Sequence, residues 1–108
     1  MLWYVSVAYF FGGAFFVNGI PHFVSGVCGR KFPSPFASPP GRGQSSAVVN
    51  VLWGALNLAI GYGLVTRIGE FHLRNPHDML IAGVGGLVMG LMLAQTFSRN
   101  PQPRGIRD

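Results

Sequence analysis

The chain has 108 residues, which is enough for one domain and too few for a large enzyme core. Charged residues make up 10% of it and hydrophobic residues 49%, so little is left to solvate the outer shell of a soluble domain, and the apolar content excludes disorder. The formal net charge of +5 sits between long uncharged runs, and a single cysteine, Cys28, excludes a disulfide framework.

Those runs predict the architecture. No Asp, Glu, Lys or Arg occurs from Met1 to Gly29, from Gly43 to Thr66, or from Met79 to Ser98. Each run holds the roughly 20 apolar residues that a hydrocarbon core requires. The expected fold class is all-α: one integral membrane domain over residues 1–108, built as a three-helix transmembrane bundle. The helices are expected near residues 2–20, 46–65 and 76–97. A basic, Pro-rich loop would occupy 21–45, and a tail 98–108. Such spans must be helical, because lipid offers the backbone no hydrogen-bond partner and three strands cannot close a barrel.

The first span opens on Trp3 and Tyr4, residues suited to an interfacial anchor. Gly19 and Pro21 are expected to end it, Gly as a left-handed cap and Pro as a breaker. No basic region precedes this apolar run, so it does not read as a cleaved signal peptide. Ser25-Gly26-Val27-Cys28 lacks the small residue that a lipoprotein cleavage site needs just before its cysteine.

The loop that follows reads KFPSPFASPPGRG. Pro33, Pro35, Pro39 and Pro40 fall within eight positions, which excludes helix and favours extended, polyproline-like chain. Phe32 and Phe36 suit either an interfacial loop, with its aromatic rings at the acyl boundary, or a segment that docks a partner.

The second span, with Ser45 as its expected cap, carries Asn50 and Asn57. They share a helix face with Gly54 and Gly61. An amide in hydrocarbon is costly without a partner, so this stripe is expected to face protein. Ala55, Ala59 and Gly63 form a second, small-residue face. Residues 66–75 then make a short loop, in which Ile68, Phe71 and Leu73 suit an interfacial turn. Asn75-Pro76-His77-Asp78 reads as an N-cap, a proline in the first turn and an acid at the positive end of the third helix dipole. The third span carries Ala82, Gly86, Gly90 and Ala94, a ladder of small side chains. It is expected to pack on the second helix, or to meet another protomer or partner.

Charge predicts the orientation. Arg30, Lys31 and Arg42 lie in the first loop, and Arg99, Arg104 and Arg107 in the tail. Arg67 and Arg74, offset by Glu70, lie in the second loop, so Lys and Arg divide six against two. The positive-inside rule then puts the N-terminus outside and the C-terminus in the cytoplasm. The excess charge reads as a topology signal with some affinity for anionic headgroups, and not as a nucleic-acid surface.

Threading three antiparallel spans places Asn18, His22, Asn50 and Gln95 at similar depth. This cluster is the candidate ligand site. It reads either as an interhelical hydrogen-bond network or as a polar pocket for a lipid headgroup, a quinone or another amphiphile. Asn57 and the Ala82/Gly86/Gly90/Ala94 ladder are the expected packing residues. No catalytic set, metal site or cofactor motif is read. No acid lies within a span, and no nucleophile elbow or phosphate loop occurs. His22 is expected at the opposite end of the bundle from His72 and His77, so the three cannot share a metal.

At Asn18-Gly19-Ile20-Pro21-His22-Phe23, then Arg30-Lys31-Phe32-Pro33-Ser34-Pro35-Phe36-Ala37, Pro39-Pro40-Gly41 and Asn50-Val51-Leu52-Trp53-Gly54, the chain resembles a group of short bacterial inner-membrane proteins without an assigned activity. The likeness covers about the first 65 residues. More distantly, the apolar helix, the turn ending in His, the Pro-rich loop and the Gly-rich helix resemble the DoxX-like small membrane proteins, which usually have four helices. The resemblance implies a multi-pass protein of the bacterial inner membrane and supplies no catalytic residue. The expected function is that of a non-enzymatic accessory or assembly subunit, or a homo-oligomer, whose partners are membrane lipids and other transmembrane helices. The alternative is a small carrier, channel or redox-accessory protein that binds an amphiphile at the polar cluster.

Overall fold

The computed structural model describes residues 2–40 and 43–99. Three helices dominate: α1 (Trp3–Val27), α2 (Ala47–Thr66) and α3 (Pro76–Arg99). They hold 25, 20 and 24 residues, and all three are long and apolar enough to cross a membrane. Between α1 and α2, two short strands pair antiparallel: β1 (Phe32–Pro33) and β2 (Gln44–Ser45), with Phe32 opposite Ser45.

α1 runs past Gly19 and Pro21, where it was expected to stop, and carries Pro21 in its interior. The proline forfeits one backbone bond, but the last turns are held by packing. Gly26 is buried against α2, where an added Cβ would sit 2.7 Å from the Ala47 carbonyl oxygen. Tertiary contact of this kind compensates a proline inside an apolar helix. The true stop is Gly29, at φ 76°. Its N–H donates to the Gly26 carbonyl and that of Arg30 to the Ser25 carbonyl, both at 2.9 Å. These are the two bonds of a Schellman cap, and the left-handed residue they require is a glycine.

The caps of the other helices follow from local chemistry. Ser46, rather than the expected Ser45, caps α2, its hydroxyl accepting from the Val49 N–H at 3.2 Å. Asn75 Oδ1 accepts from the His77 N–H at 2.9 Å and the Asp78 N–H at 3.4 Å, and Pro76 opens α3. Asp78 then folds back, and its Oδ2 accepts from the His72 N–H at 3.1 Å. The 67–75 loop is thereby drawn over the end of α1, where Phe71 lies edge-on to the buried Tyr9 at 5.1 Å.

α1 is the central helix. Among the described residues, α2 and α3 each pack along α1, and no comparable contact joins α2 to α3. The α1/α2 seam is built from backbone. Gly12, Gly19 and Gly26 recur every seven residues on α1, facing Asn50, Gly54, Asn57 and Gly61 on α2, all of them buried. This spacing keeps two helices in register over several turns. A Cβ on Gly19 would stand 2.7 Å from the Gly54 carbonyl oxygen, and one on Gly61 the same distance from that of Gly12. The other small face of α2 points away, with Ala55 and Ala59 exposed and open space beside Gly63.

The α1/α3 seam corrects the expected ladder. Its partner is α1, not α2. The closest approaches are Gly13 against the Ala82 carbonyl and Gly85 against the Phe10 carbonyl, where an added Cβ would run into backbone. Gly86 meets Val17, Gly90 has only a Val17 methyl at 3.8 Å, and Ala94 is exposed. The ladder is therefore half of a seam whose tightest member, Gly85, lies one residue off the four-residue repeat.

Candidate functional site

The polar residues of α1 and α2 form two pairs along one seam. Asn18 donates through Nδ2 to Asn57 Oδ1 at 2.8 Å. One turn further, His22 Nδ1 lies 2.9 Å from Asn50 Oδ1. Asn50 and Asn57 are both 0% exposed and His22 is 4% exposed.

Asn50 is a junction between α1, α2 and the loop. Its Nδ2 faces three carbonyl oxygens: Phe32 at 3.0 Å, Ser45 at 3.2 Å and Ser46 at 3.0 Å. An amide nitrogen donates only, so this surrounding orients the side chain and turns Oδ1 to His22. Oδ1 only accepts, so the hydrogen sits on His22 Nδ1. In the neutral ring Nε2 then carries the lone pair. Asn57 is held the same way, with Nδ2 donating to the Trp53 carbonyl at 2.8 Å.

The loop completes this end of the bundle. β1 and β2 bring the buried hydroxyls of Ser34 and Ser45 into a hydrogen bond, and Ser34 Oγ also accepts from the Phe36 N–H at 3.1 Å. Phe32 is thereby turned inward. Its ring meets His22 at 5.3 Å and Phe97 of α3 at 4.8 Å, and Trp53 of α2 approaches the same imidazole at 6.4 Å. Neither reading of the two loop phenylalanines covers this: Phe32 is a wedge between all three helices, while Phe36 is 66% exposed and rests against Trp53 at 5.2 Å. The Trp53 indole N–H is buried with no acceptor among the described residues.

Of the four residues expected to cluster, the structure brings together His22 and Asn50. Asn18 sits beside them but bonds to Asn57. Gln95 is exposed, and no hydrogen bond among the described residues joins it to the cluster. The rotation of α3 on α1 turns it outward. Phe97, Phe32 and Trp53 take the place that Gln95 was expected to fill. Phe32 lies in a loop whose path no helical period predicts, so the wedge is not legible from spacing.

At the other end, His72 and His77 are exposed, and among the described residues no group of three His, Cys, Asp or Glu side chains could hold a metal. Asp78 is 1% exposed, and its Oδ1 lies 3.8 Å from His77 Nδ1.

Because α2 and α3 each pack on α1 and not on each other, a cleft opens between them. In the half of the bundle nearer the 28–46 loop, the aromatic wedge fills it. In the half nearer the 67–75 loop it stays open as a cavity of about 620 Å³ with an almost wholly apolar lining. Comparison with protein-family models, with curated proteins and with solved structures returns no match.

Proposed function

We propose that the chain is a multi-pass protein of the bacterial inner membrane, with its first residues outside and its last in the cytoplasm. In that reading it serves as a non-enzymatic accessory or assembly subunit, as a homo-oligomer or within a larger complex. The observation that carries this reading is the state of the Asn50/Asn57 stripe. Both amides are fully buried and hydrogen-bonded within the bundle, so the polar groups are consumed in holding α1, α2 and the loop together. The outward surface offers large apolar side chains along each helix, including Leu52 and Leu56 on α2 and Leu80, Leu87 and Leu91 on α3. The long dimension of 47 Å matches the roughly 40–45 Å of a bilayer with its headgroups.

A subunit of this kind purifies in mild detergent as a particle larger than one chain plus its micelle. Light scattering on material cross-linked in intact cells reads this directly. Strictly monomeric protein before and after cross-linking would remove the subunit reading. It would favour the alternative, a carrier, channel or redox-accessory protein working at Asn18, His22 and Asn50.

The orientation has its own test. Cys28 is exposed and adjoins the basic loop. In intact cells a membrane-impermeant maleimide should leave Cys28 unlabelled until the membrane is permeabilised. The same reagent should label Glu70→Cys in a Cys28→Ser background at once. The opposite pattern would invert the topology.

A further inference from the structure

From the cleft between α2 and α3 we infer that the protein holds one acyl chain of an anionic phospholipid, with the phosphate at Arg67 and Arg74. The inference rests on the membrane placement proposed above and is independent of the subunit role.

The shape of the cleft selects the occupant. Its floor is the bare backbone of α1 at Gly12 and Gly13. One wall is Gly61 and Tyr62 of α2, the other Gly83 and Leu87 of α3. At about 620 Å³ it falls in the size range of small-ligand sites, and its lining is apolar as an alkyl chain requires. Along α3 it extends from Met79 to Gly90. That is about 16 Å at the helical rise of 1.5 Å per residue, close to half of a hydrocarbon core of about 30 Å. Beyond that depth the rings of His22, Phe32 and Phe97 occupy the space between the helices. A partner helix crosses both leaflets and would need the whole length of the gap. An acyl chain occupies one leaflet, and the open half of the cleft has that length.

The mouth selects the headgroup. Val65 and Leu73 line the cleft at its 67–75 end, and Arg67 and Arg74 stand within two residues of them, both exposed. Glu70 is the one exposed acid in that loop, and Asp78 is buried, turned into its bond with the His72 N–H. Two guanidinium groups at the headgroup level are bidentate phosphate ligands and leave a net positive mouth.

Gly83 allows the test, because an added Cβ there meets nothing within 4 Å. A large side chain at this position enters the cleft without touching a seam. The protein is reconstituted in nanodiscs of equal phosphatidylglycerol and phosphatidylcholine, released into mild detergent, and its retained lipids are counted by native mass spectrometry. Wild type should keep one phosphatidylglycerol per chain, preferred over phosphatidylcholine by about tenfold. Gly83→Phe should lose the lipid while keeping its unfolding temperature. Leu87→Trp, filling the cleft from the rim, should act alike and stands in if Gly83→Phe fails to fold. Arg67→Gln with Arg74→Gln should keep a lipid but lose the preference. Inserted wild-type protein that retains no lipid, or retains both kinds equally, overturns the inference. So does Gly83→Cys in a Cys28→Ser background forming a disulfide-linked dimer, which would make a second copy the occupant. Protein that never partitions into bilayers would instead overturn the membrane reading itself.

Discussion

Replacing Asn50 with Leu should lower stability by about 3 kcal/mol or more, the largest loss of any polar substitution in the bundle. The side chain makes four hydrogen bonds from a fully buried position. Leucine fills similar volume and supplies none of them. The His22 Nδ1–H is then stranded, and the Phe32 and Ser45 carbonyls each lose one donor but keep the β1/β2 pairing that sets these two residues opposite each other. The Ser46 carbonyl keeps one, because the Asn50 backbone N–H still donates to it at 3.1 Å. Leaving the buried His22 N–H unpaired costs about 1–3 kcal/mol, and the lost bonds to the loop carbonyls add to it, so the total exceeds the loss of one ordinary interhelical bond. Asn18→Leu is the internal comparison. That change breaks one hydrogen bond and leaves Asn57 Oδ1 without its donor, while Asn57 Nδ2 keeps its bond to the Trp53 carbonyl, so it should cost about 1–2 kcal/mol, less than the loss of every side-chain bond at Asn50. Pairing Asn50→Leu with His22→Phe should restore part of the loss, since the stranded imidazole is gone while the bonds from Asn50 to the loop carbonyls are not replaced. Unfolding in mixed micelles, followed by the fluorescence of Trp53 with Trp3 replaced by Phe, reads all four proteins. Equal stability of Asn50→Leu and Asn18→Leu would refute the junction role.

Gly85→Ile should detach α3 from α1, at a cost of about 3 kcal/mol or more, and Gly13→Ile should do the same from the other side. At both positions the new Cβ meets a backbone carbonyl of the facing helix, and backbone cannot rotate aside as a side chain can. The helices must part, and α3 has no comparable contact with α2 to hold it among the described residues. Gly90→Ala, with its nearest neighbour at an ordinary van der Waals distance, should change stability little. This contrast separates a true seam from a mere run of small residues, because Gly90 belongs to the four-residue ladder and Gly85 does not. If both isoleucine variants unfold at the same denaturant concentration as the parent, the α1/α3 packing described here is wrong.

The two results bear on different layers of the same problem. Asn50 and Asn57 were legible as a protein-facing stripe, because a repeat of seven residues returns to one side of a helix and an amide must find a partner. Their partners were not legible. Counting residues along a span gives depth, and by depth Asn18, Asn50 and Gln95 are neighbours. Pairing also needs the rotation of each helix about its axis. That rotation sends Asn18 to Asn57 and Gln95 to the surface. Pro21 is a similar case. In isolation it is a helix breaker, and only the burial of Gly26 against α2 carries α1 onward to Gly29.

By itself the sequence determined that there are three long apolar helices, where the uncharged runs lie, and which face of α2 must be covered. Those are one-dimensional properties: hydrophobic length, helical period and the cost of an unpaired amide act on each segment before any partner is chosen. Only the tertiary structure decided that α1 stands between the other two, that Gly85 and Gly13 make the close approach, and that Phe32 wedges one end of the cleft while the other stays open. Those outcomes depend on how surfaces of several helices fit at once. Glycine-rich helices offer more than one close approach of nearly equal local merit, and the choice among them is made by the whole set of contacts rather than by any segment alone.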